Sequence, residues 1–216
     1  MCWNQYVSLN TFMFSIFVLL LIAYNNKYTQ YKTPLFNNKF VYFFFLSFIT
    51  MQLIEFFIWR NIDNKKLNNL FSTLGALLLL IQPIASLLML KDDSLKYKLI
   101  TLYSIIAFPY FIYYNYYNEI NTEVSRLGHL KWNWRNKTGI DTVLYILWFV
   151  VLFFPLLVNK NYQALIYVLF LLAITFYSFL QDGSEGSLWC WTINSAMIYY
   201  AFNLLIWLPF KEHGLC

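Results

Sequence analysis

Charged residues are scarce in this chain: they make up only 12% of its 216 residues, while hydrophobic residues make up 60%. Soluble domains carry about 25% charged residues, so this composition favours a membrane class. The Lys and Arg side chains are spread along the loops in ones and twos and form no concentrated basic face. We therefore expect the lipid bilayer as a partner and no nucleic acid.

Metal ligands are also few. The chain contains the three cysteines Cys2, Cys190 and Cys216 and the two histidines His129 and His213. A structural zinc site needs four Cys or His ligands close together, so this inventory predicts no metal site. Phosphate-binding glycine loops, nucleophile motifs and a potassium-filter sequence are absent as well. We therefore expect no cofactor and do not expect an enzyme.

Long apolar runs are what the sequence does contain. A helix crosses a bilayer with about 20 residues. Seven runs reach that length, at about 6–24, 40–59, 69–90, 97–116, 140–158, 162–180 and 188–210. The first is expected to be a retained helix, since no Lys or Arg precedes it and no small-residue cleavage site follows it. The predicted fold is all-α, a single polytopic membrane domain of seven helices over residues 1–216.

One carboxylate lies inside an apolar run. Glu55 belongs to the second run, and Gln52 precedes it by three residues, so both side chains lie on one helix face. A carboxylate at membrane depth costs a few kcal/mol and usually faces the bundle interior or a wet cavity. Glu55 is therefore the leading candidate for a functional residue.

Polar stripes follow several of the runs. Three runs carry polar or small residues at helical spacing: Ser8, Thr11 and Ser15; Ser72, Gly75, Gln82 and Ser86; Thr192, Ser195, Tyr199 and Asn203. Such stripes are expected to turn toward other helices. Two interpretations stay open, which are interhelical hydrogen bonding and a polar pathway lined by helices two, three and seven.

The N-terminus and the loop before the seventh run are expected on the side of the membrane nearer Glu55. Their residues predict a polar mouth above Glu55, formed by Trp3, Asp182, Glu185, Trp189, Trp191 and Asn194. Trp189 and Trp191 are also typical of an interfacial aromatic belt. A Cys2–Cys190 disulfide across this mouth is possible if that side is oxidising, and two interfacial thiols are the alternative.

The longest connection contains residues 126–137, which mix basic residues with tryptophan. This mixture is typical of an amphipathic segment that lies at the lipid headgroups. The basic residues are nearly balanced between the two sides, but Lys27 and Lys32 follow the first run and none precedes it. The positive-inside rule then favours an exoplasmic N-terminus and a cytosolic C-terminus.

Four short motifs carry a resemblance that spans nearly the whole chain. They are Met1-Cys2-Trp3-Asn4, Gln52-Leu53-Ile54-Glu55, Gln82-Pro83 and Trp189-Cys190-Trp191. The pattern resembles a family of uncharacterised multi-pass membrane proteins of large DNA viruses and protists. The resemblance implies a seven-helix membrane fold and assigns no activity and no site residue.

Three functions follow as hypotheses. The first is a small transporter or channel-like carrier, in which Glu55 binds a proton or cation and the stripes of helices three and seven complete the site for a small ion or solute. The second is a membrane sensor or scaffold, in which Glu55 is a buried structural group. A lipid-modifying enzyme has the least support. The sequence leaves the oligomeric state open.

Overall fold

The computed structural model describes residues 4–134 and 139–212. Seven of its helices are long and apolar enough to cross a membrane by length and composition. They are α1 Gln5–Tyr28, α2 Lys39–Arg60, α3 Lys65–Leu87, α4 Asp93–Tyr117, α5 Ile140–Val158, α6 Tyr162–Phe179 and α7 Glu185–Phe202. The seven predicted runs are therefore confirmed as helices. The last one continues through a π-helical turn at Asn203–Trp207 into Leu208–Glu212.

Asparagine and aspartate side chains set where several helices begin. Asn4 accepts the backbone N–H groups of Tyr6 and Val7 at the start of α1. Asn38, Asn64, Asp92 and Asn161 cap α2, α3, α4 and α6 in the same way. A capping oxygen satisfies backbone donors that have no partner in the first turn, so these residues fix the helix starts locally.

Helices α2, α3 and α7 form the centre of the bundle. Helix α2 packs against α1, α3 and α7. Helix α3 also packs against α4 and α5, and α7 also packs against α1 and α6. One apolar core lies between α1, α2 and α7 around Ile22 and Met197. The second lies between α2, α3, α5 and α7 around Phe48, Leu152 and Trp189.

The connection between α4 and α5 contains a β-hairpin. Strands β1 Asn121–Val124 and β2 Leu130–Asn133 pair antiparallel. The all-α prediction is therefore wrong for the strands 121–124 and 130–133, and the described part of the predicted amphipathic segment 126–137 is a turn and a strand. The reason is visible in the sequence, where apolar Leu130, Trp132 and Trp134 alternate with polar residues at the period of a strand. Gly128, with φ at 79°, lies in the left-handed region that the connecting turn requires.

Asn68 of α3 fastens this hairpin to the bundle. Its side-chain carboxamide donates to the Thr122 carbonyl at 2.8 Å and accepts the Thr122 N–H at 2.9 Å. The Ser72 and Thr122 hydroxyls are 2.8 Å apart, and the indole N–H of Trp134 donates to the same threonine. Each buried polar group in this network therefore has a partner, which removes the cost of burying it.

Two glycines make room for the hairpin tryptophans. The Trp132 and Trp134 rings stack with centroids 4.2 Å apart. A Cβ built on Gly75 of α3 would approach the Trp134 ring to 2.5 Å, and one built on Gly186 of α7 would approach the Trp132 ring to 2.8 Å. The stacked pair thus fits between α3 and α7 only because neither position has a side chain.

Candidate functional site

Glu55 lies in the closed centre of the bundle. Glu55 and Gln52 are both fully buried, and the Gln52 carboxamide donates to the Glu55 carboxylate at 2.9 Å. The Glu55 carboxyl group and the Gln82 side chain of α3 both lie close to the buried Cys190 thiol of α7. Three helices therefore meet at a polar cluster that we call the Glu55 centre, formed by Gln52, Glu55, Gln82 and Cys190. The cluster is enclosed by protein.

The stripe on α3 faces the interior, as its spacing indicates. Ser72, Gln82 and Ser86 are all fully buried. They form hydrogen bonds with different elements, however. Ser72 bonds the hairpin, and the Ser86 hydroxyl donates to the Leu152 carbonyl of α5 at 2.6 Å. Of this stripe, Gln82 is the residue that joins the Glu55 centre.

The stripe on α7 does not face the core as predicted, although Ser195 makes an interhelical hydrogen bond of the expected kind. Tyr199 is 63% exposed, and Ser195 pairs with the hydroxyl of Tyr167 on α6 in an exposed position. Thr192 bonds its own helix, and Asn203 lies half-buried in the π-helical turn. The opposite face turns inward instead and carries Cys190, Asn194, Met197 and Ala201. Polar residues lie on both faces of α7, so spacing alone did not decide which face is buried.

The predicted mouth is wrong for most of its described members. Trp189 and Asn194 lie in the core, where Asn194 donates to the Phe48 carbonyl of α2. Trp191 donates its indole N–H to Thr11 and links α7 to α1. Asp182 lies in the loop against the hairpin, and Glu185 begins α7 at the cleft described below. Trp3 lies outside the described residues.

For Cys190 the sequence left two possibilities open, a disulfide with Cys2 or two interfacial thiols. Cys190 is a free thiol with no exposed surface, so it lies inside the bundle and not at an interface. Its proposed partner Cys2 lies outside the described residues. Among the residues that the structure describes, no group of three or more His, Cys, Asp or Glu side chains is arranged to hold a metal ion.

An elongated cavity of about 410 Å³ lies between α4 and α5, with α3 as its floor and the hairpin at one end. We call it the α4–α5 cleft. Leu99 and Tyr114, both in its lining, are about 22 Å apart along α4 at about 1.5 Å per residue. Leu102 and Val150 line it from facing helices and still expose more than half of their surface. The cleft is therefore long, narrow and open sideways.

The walls of the cleft are apolar, but a few polar groups line it. At the hairpin end Tyr110 donates its hydroxyl to the Asp141 carboxylate, and Glu185 lines the same cavity. The Tyr103 hydroxyl and the Trp132 indole N–H are buried without a hydrogen-bond partner among the described residues. A buried donor without a partner costs about 1–3 kcal/mol, so each of these groups is suited to a bound molecule.

No family model, curated protein or solved structure matches this chain. The geometry therefore carries the functional argument by itself. Of the residues that line the cleft, the sequence analysis named Glu185 and Trp189 but assigned them to a mouth above Glu55, and it did not name Asp141. A signal was present, since Asp141 and Glu185 each fall in the first turn of an apolar helix.

The turn of the hairpin is fixed against the loop between α6 and α7. The Asp182 carboxylate accepts the Leu127 N–H at 3.3 Å and the Ser184 hydroxyl at 3.0 Å. Burial opposes its ionisation, but these hydrogen bonds and one from Ser125 hold the pKa of Asp182 below its usual value. His129 is only 4% exposed and meets the Phe179 ring edge-on. Burial lowers the pKa of His129.

These shifts predict that hairpin docking weakens in acid. The folded state binds a proton at His129 at a lower pH than the unfolded chain does, so stability falls as the pH drops below about 6.5. Asp182 adds a loss at still lower pH, below about 4. We expect the melting temperature in detergent to fall between pH 7.5 and 5.0, by about 2–4 °C for each kcal/mol lost.

A histidine substitution isolates this effect. His129→Gln is expected to flatten the dependence between pH 7.5 and 5.0, while His213→Gln, at the only other histidine of the chain, keeps it. An unchanged slope in His129→Gln would show that the buried imidazole does not govern docking.

Proposed function

We propose that this chain is an integral multi-pass membrane protein that crosses the bilayer seven times. Its outward faces support this proposal, since Ile166, Phe170 and Tyr177 of α6 expose 68%, 61% and 94% of their surface. A water-soluble protein rarely exposes contiguous apolar patches of this kind, whereas lipid chains cover them without cost. The bilayer is then the partner of these faces.

The same proposal includes an exoplasmic N-terminus and a cytosolic C-terminus. The reason is that Lys27 and Lys32 follow α1 and no basic residue precedes it. In sealed cells, protease is expected to remove an N-terminal tag and to spare a C-terminal tag until the membrane is opened. Removal of both tags from sealed cells would mean that one helix does not cross, and the reverse pattern would invert the topology.

Within the membrane, we propose that the protein acts as a sensor that binds an apolar molecule in the α4–α5 cleft. The observation that carries this proposal is the cleft itself. Its volume of about 410 Å³ falls within the range of about 300–1,000 Å³ typical of ligand sites. It combines apolar walls with a few converging polar groups, and its side opening faces the region where lipid chains would lie.

The walls of the cleft differ in how firmly they are held. On α5, the Trp148 indole donates to the Leu79 carbonyl of α3 at 2.7 Å, and the Leu152 carbonyl accepts from Ser86. On α4, Tyr110 bonds Asp141 across the cleft, and less of this helix than of α5 is buried inside the bundle. A bound molecule would therefore meet a fixed α5 and contact the less firmly held α4. This arrangement suits a sensor, because occupancy can change the position of one helix.

A substitution inside the cleft tests the proposal. Ala107 of α4 lines the cavity and is nearly buried, so Ala107→Trp is expected to fill it and to reduce binding of a photoactivatable C18 lipid alcohol by about tenfold or more. Binding is measured by cross-linking in phosphatidylcholine nanodiscs and mapping the labelled peptides.

Ala23→Trp on the exposed face of α1 is the matched control and is expected to bind like the wild type. Labelling spread evenly over the outward helix faces, or labelling of α4 and α5 that Ala107→Trp leaves unchanged, would contradict a binding cleft.

The carrier hypothesis requires a pathway along which water reaches Glu55. In the structure Glu55 and its neighbour Gln52 are fully buried. A closed centre is what the sensor or scaffold hypothesis predicts for this carboxylate. We therefore assign Glu55 a structural role as the acceptor for the Gln52 carboxamide.

Two variants at Glu55 separate these roles. Glu55→Gln keeps an acceptor oxygen and is expected to change the free energy of unfolding by less than about 1 kcal/mol, whereas Glu55→Leu leaves the Gln52 donor unsatisfied and costs about 1–3 kcal/mol. Thermal unfolding measures both. If Glu55→Gln folds normally but abolishes a pH-dependent proton flux that the wild type shows in liposomes, the carrier hypothesis is favoured instead.

A further inference from the structure

Resting on the proposed function, we infer that the α4–α5 cleft is selective for an uncharged single-chain acyl lipid that carries a second oxygen acceptor near the middle of its chain. The ester head would lie at the hairpin end beside Trp132 and Trp189, and the chain would run along α4 toward Leu99. Three features of the described residues support this occupant, namely the shape of the cleft, three buried donors in its lining and the lack of a basic residue there.

The shape favours one chain rather than two. The lining runs about 22 Å along α4, from Tyr114 at the hairpin to Leu99 at the far end. With a volume of about 410 Å³ over that length, the cavity is narrow. It is also open along one side, where Leu102 and Val150 are exposed, so an extended chain can enter from the bilayer without passing through water.

Two indole N–H groups at the hairpin end lack an acceptor. Trp132 and Trp189 both line the cleft, and neither of these buried N–H groups has a hydrogen-bond partner among the described residues. Both belong to the same part of the cleft, because the Trp132 ring lies against Gly186, about one helical turn before Trp189 on α7. An indole N–H is a donor only, so each requires an acceptor. An ester head supplies two acceptor oxygens and no donor, and therefore matches this pair.

The other two tryptophans of the lining find their acceptors within the protein. Trp134 donates its indole N–H to the Thr122 hydroxyl, and Trp148 donates to the Leu79 carbonyl. Buried polar groups in native structures nearly always have a partner. The two indoles that the described residues leave without one therefore indicate an occupant that brings its own acceptors.

The hydroxyl of Tyr103 accounts for the second acceptor. This side chain is 9% exposed, lines the cleft and has no hydrogen-bond partner among the described residues. It lies about 10 Å along α4 from Tyr110, which bonds Asp141 at the hairpin end. An oxygen in the head is therefore too far away to accept from Tyr103 as well. A ketone, hydroxyl or epoxide oxygen near the middle of the chain would lie beside this residue.

The lining favours an uncharged head. No Lys or Arg among the described residues lines the cleft, so a buried anionic head would have no counter-ion. Asp141 accepts the Tyr110 hydroxyl, and neither Asp141 nor Glu185 is without a partner, so these acids do not require a cation from the ligand. An ammonium head would also offer no acceptor to the indoles.

The experiment compares C18 probes that share one photoactivatable group and differ in their polar atoms. They are a plain hydrocarbon, a methyl ester, methyl esters with a ketone at successive mid-chain carbons, and analogues with a trimethylammonium or a sulfate head. Each is added at the same low mole fraction to the full-length protein in phosphatidylcholine nanodiscs at pH 7, irradiated, and mapped by peptide mass spectrometry.

The methyl ester is expected to label α4 and α5 peptides about fivefold above the hydrocarbon, because an ordinary hydrogen bond contributes a factor of about that size. The ketone at its best position is expected to add a similar factor. Both charged heads are expected to label these peptides less than the methyl ester.

Conservative variants test the donors themselves. Trp132→Phe and Trp189→Phe keep an aromatic ring and remove the N–H, so they are expected to lower ester labelling toward that of the hydrocarbon and to leave hydrocarbon labelling unchanged. Tyr103→Phe is expected to remove only the gain from the ketone. Trp191→Phe, at an indole that bonds Thr11 of α1 away from the cleft, is the matched control and keeps both preferences. The preference of the wild type is informative even if a variant fails to fold.

The outcomes separate this inference from the proposal beneath it. Equal labelling by the ester and the hydrocarbon, or stronger labelling by a charged head, overturns the acyl head and leaves the cleft as a binding site. An ester preference that persists in the folded double variant of Trp132 and Trp189 also overturns it. A ketone that adds nothing at any position, or whose gain survives in Tyr103→Phe, overturns the second acceptor. If no probe labels α4 or α5 above the other helices, the binding cleft itself is wrong.

Discussion

The pairing between Asn68 and Thr122 is the interaction that fixes the hairpin against α3, and the position of the hairpin bounds one end of the cleft. The Asn68 carboxamide bonds both the N–H and the carbonyl of Thr122, as a neighbouring strand would. These two bonds hold the short hairpin at the N-terminal end of α3. That anchor brings the stacked tryptophans over Gly75 and Gly186. The hairpin thereby occupies the space between the end of α4 and the start of α5, and the cleft lies below it.

Polar groups inside the bundle divide into two kinds. Those at the Glu55 centre and along α3 mainly join helices, as when Ser86 bonds the Leu152 carbonyl and Asn194 bonds the Phe48 carbonyl. In a bilayer such bonds replace those that water would make, and they fix how helices approach. Those in the α4–α5 cleft instead border an open volume. Burial alone therefore does not distinguish a ligand-binding polar residue from a structural one. An open cavity beside the residue does.

Acidic residues show the same distinction. Glu55 is the acidic residue that lies farthest inside an apolar run, yet it is fully buried by protein. The Gln52 carboxamide donates a hydrogen bond to one of its carboxylate oxygens. Asp141 and Glu185 lie at helix starts, where an acidic residue is usually explained by the helix dipole alone. Both are nevertheless buried, and both line the same cavity. Their meeting comes from the packing of α5 and α7 around the hairpin.

The sequence by itself determined the seven helices, because the length and apolar character of a run are local properties, as are capping residues such as Asn64 and Asp92. The alternation from Leu130 to Trp134 would also have predicted a strand. Only the tertiary structure decided the rest. The buried face of α7 depends on its neighbours, because polar residues lie on both faces, and Asn194 turned inward while Tyr199 stayed exposed. The cleft exists where α4 and α5 are held apart, and no local pattern records the distance between two helices.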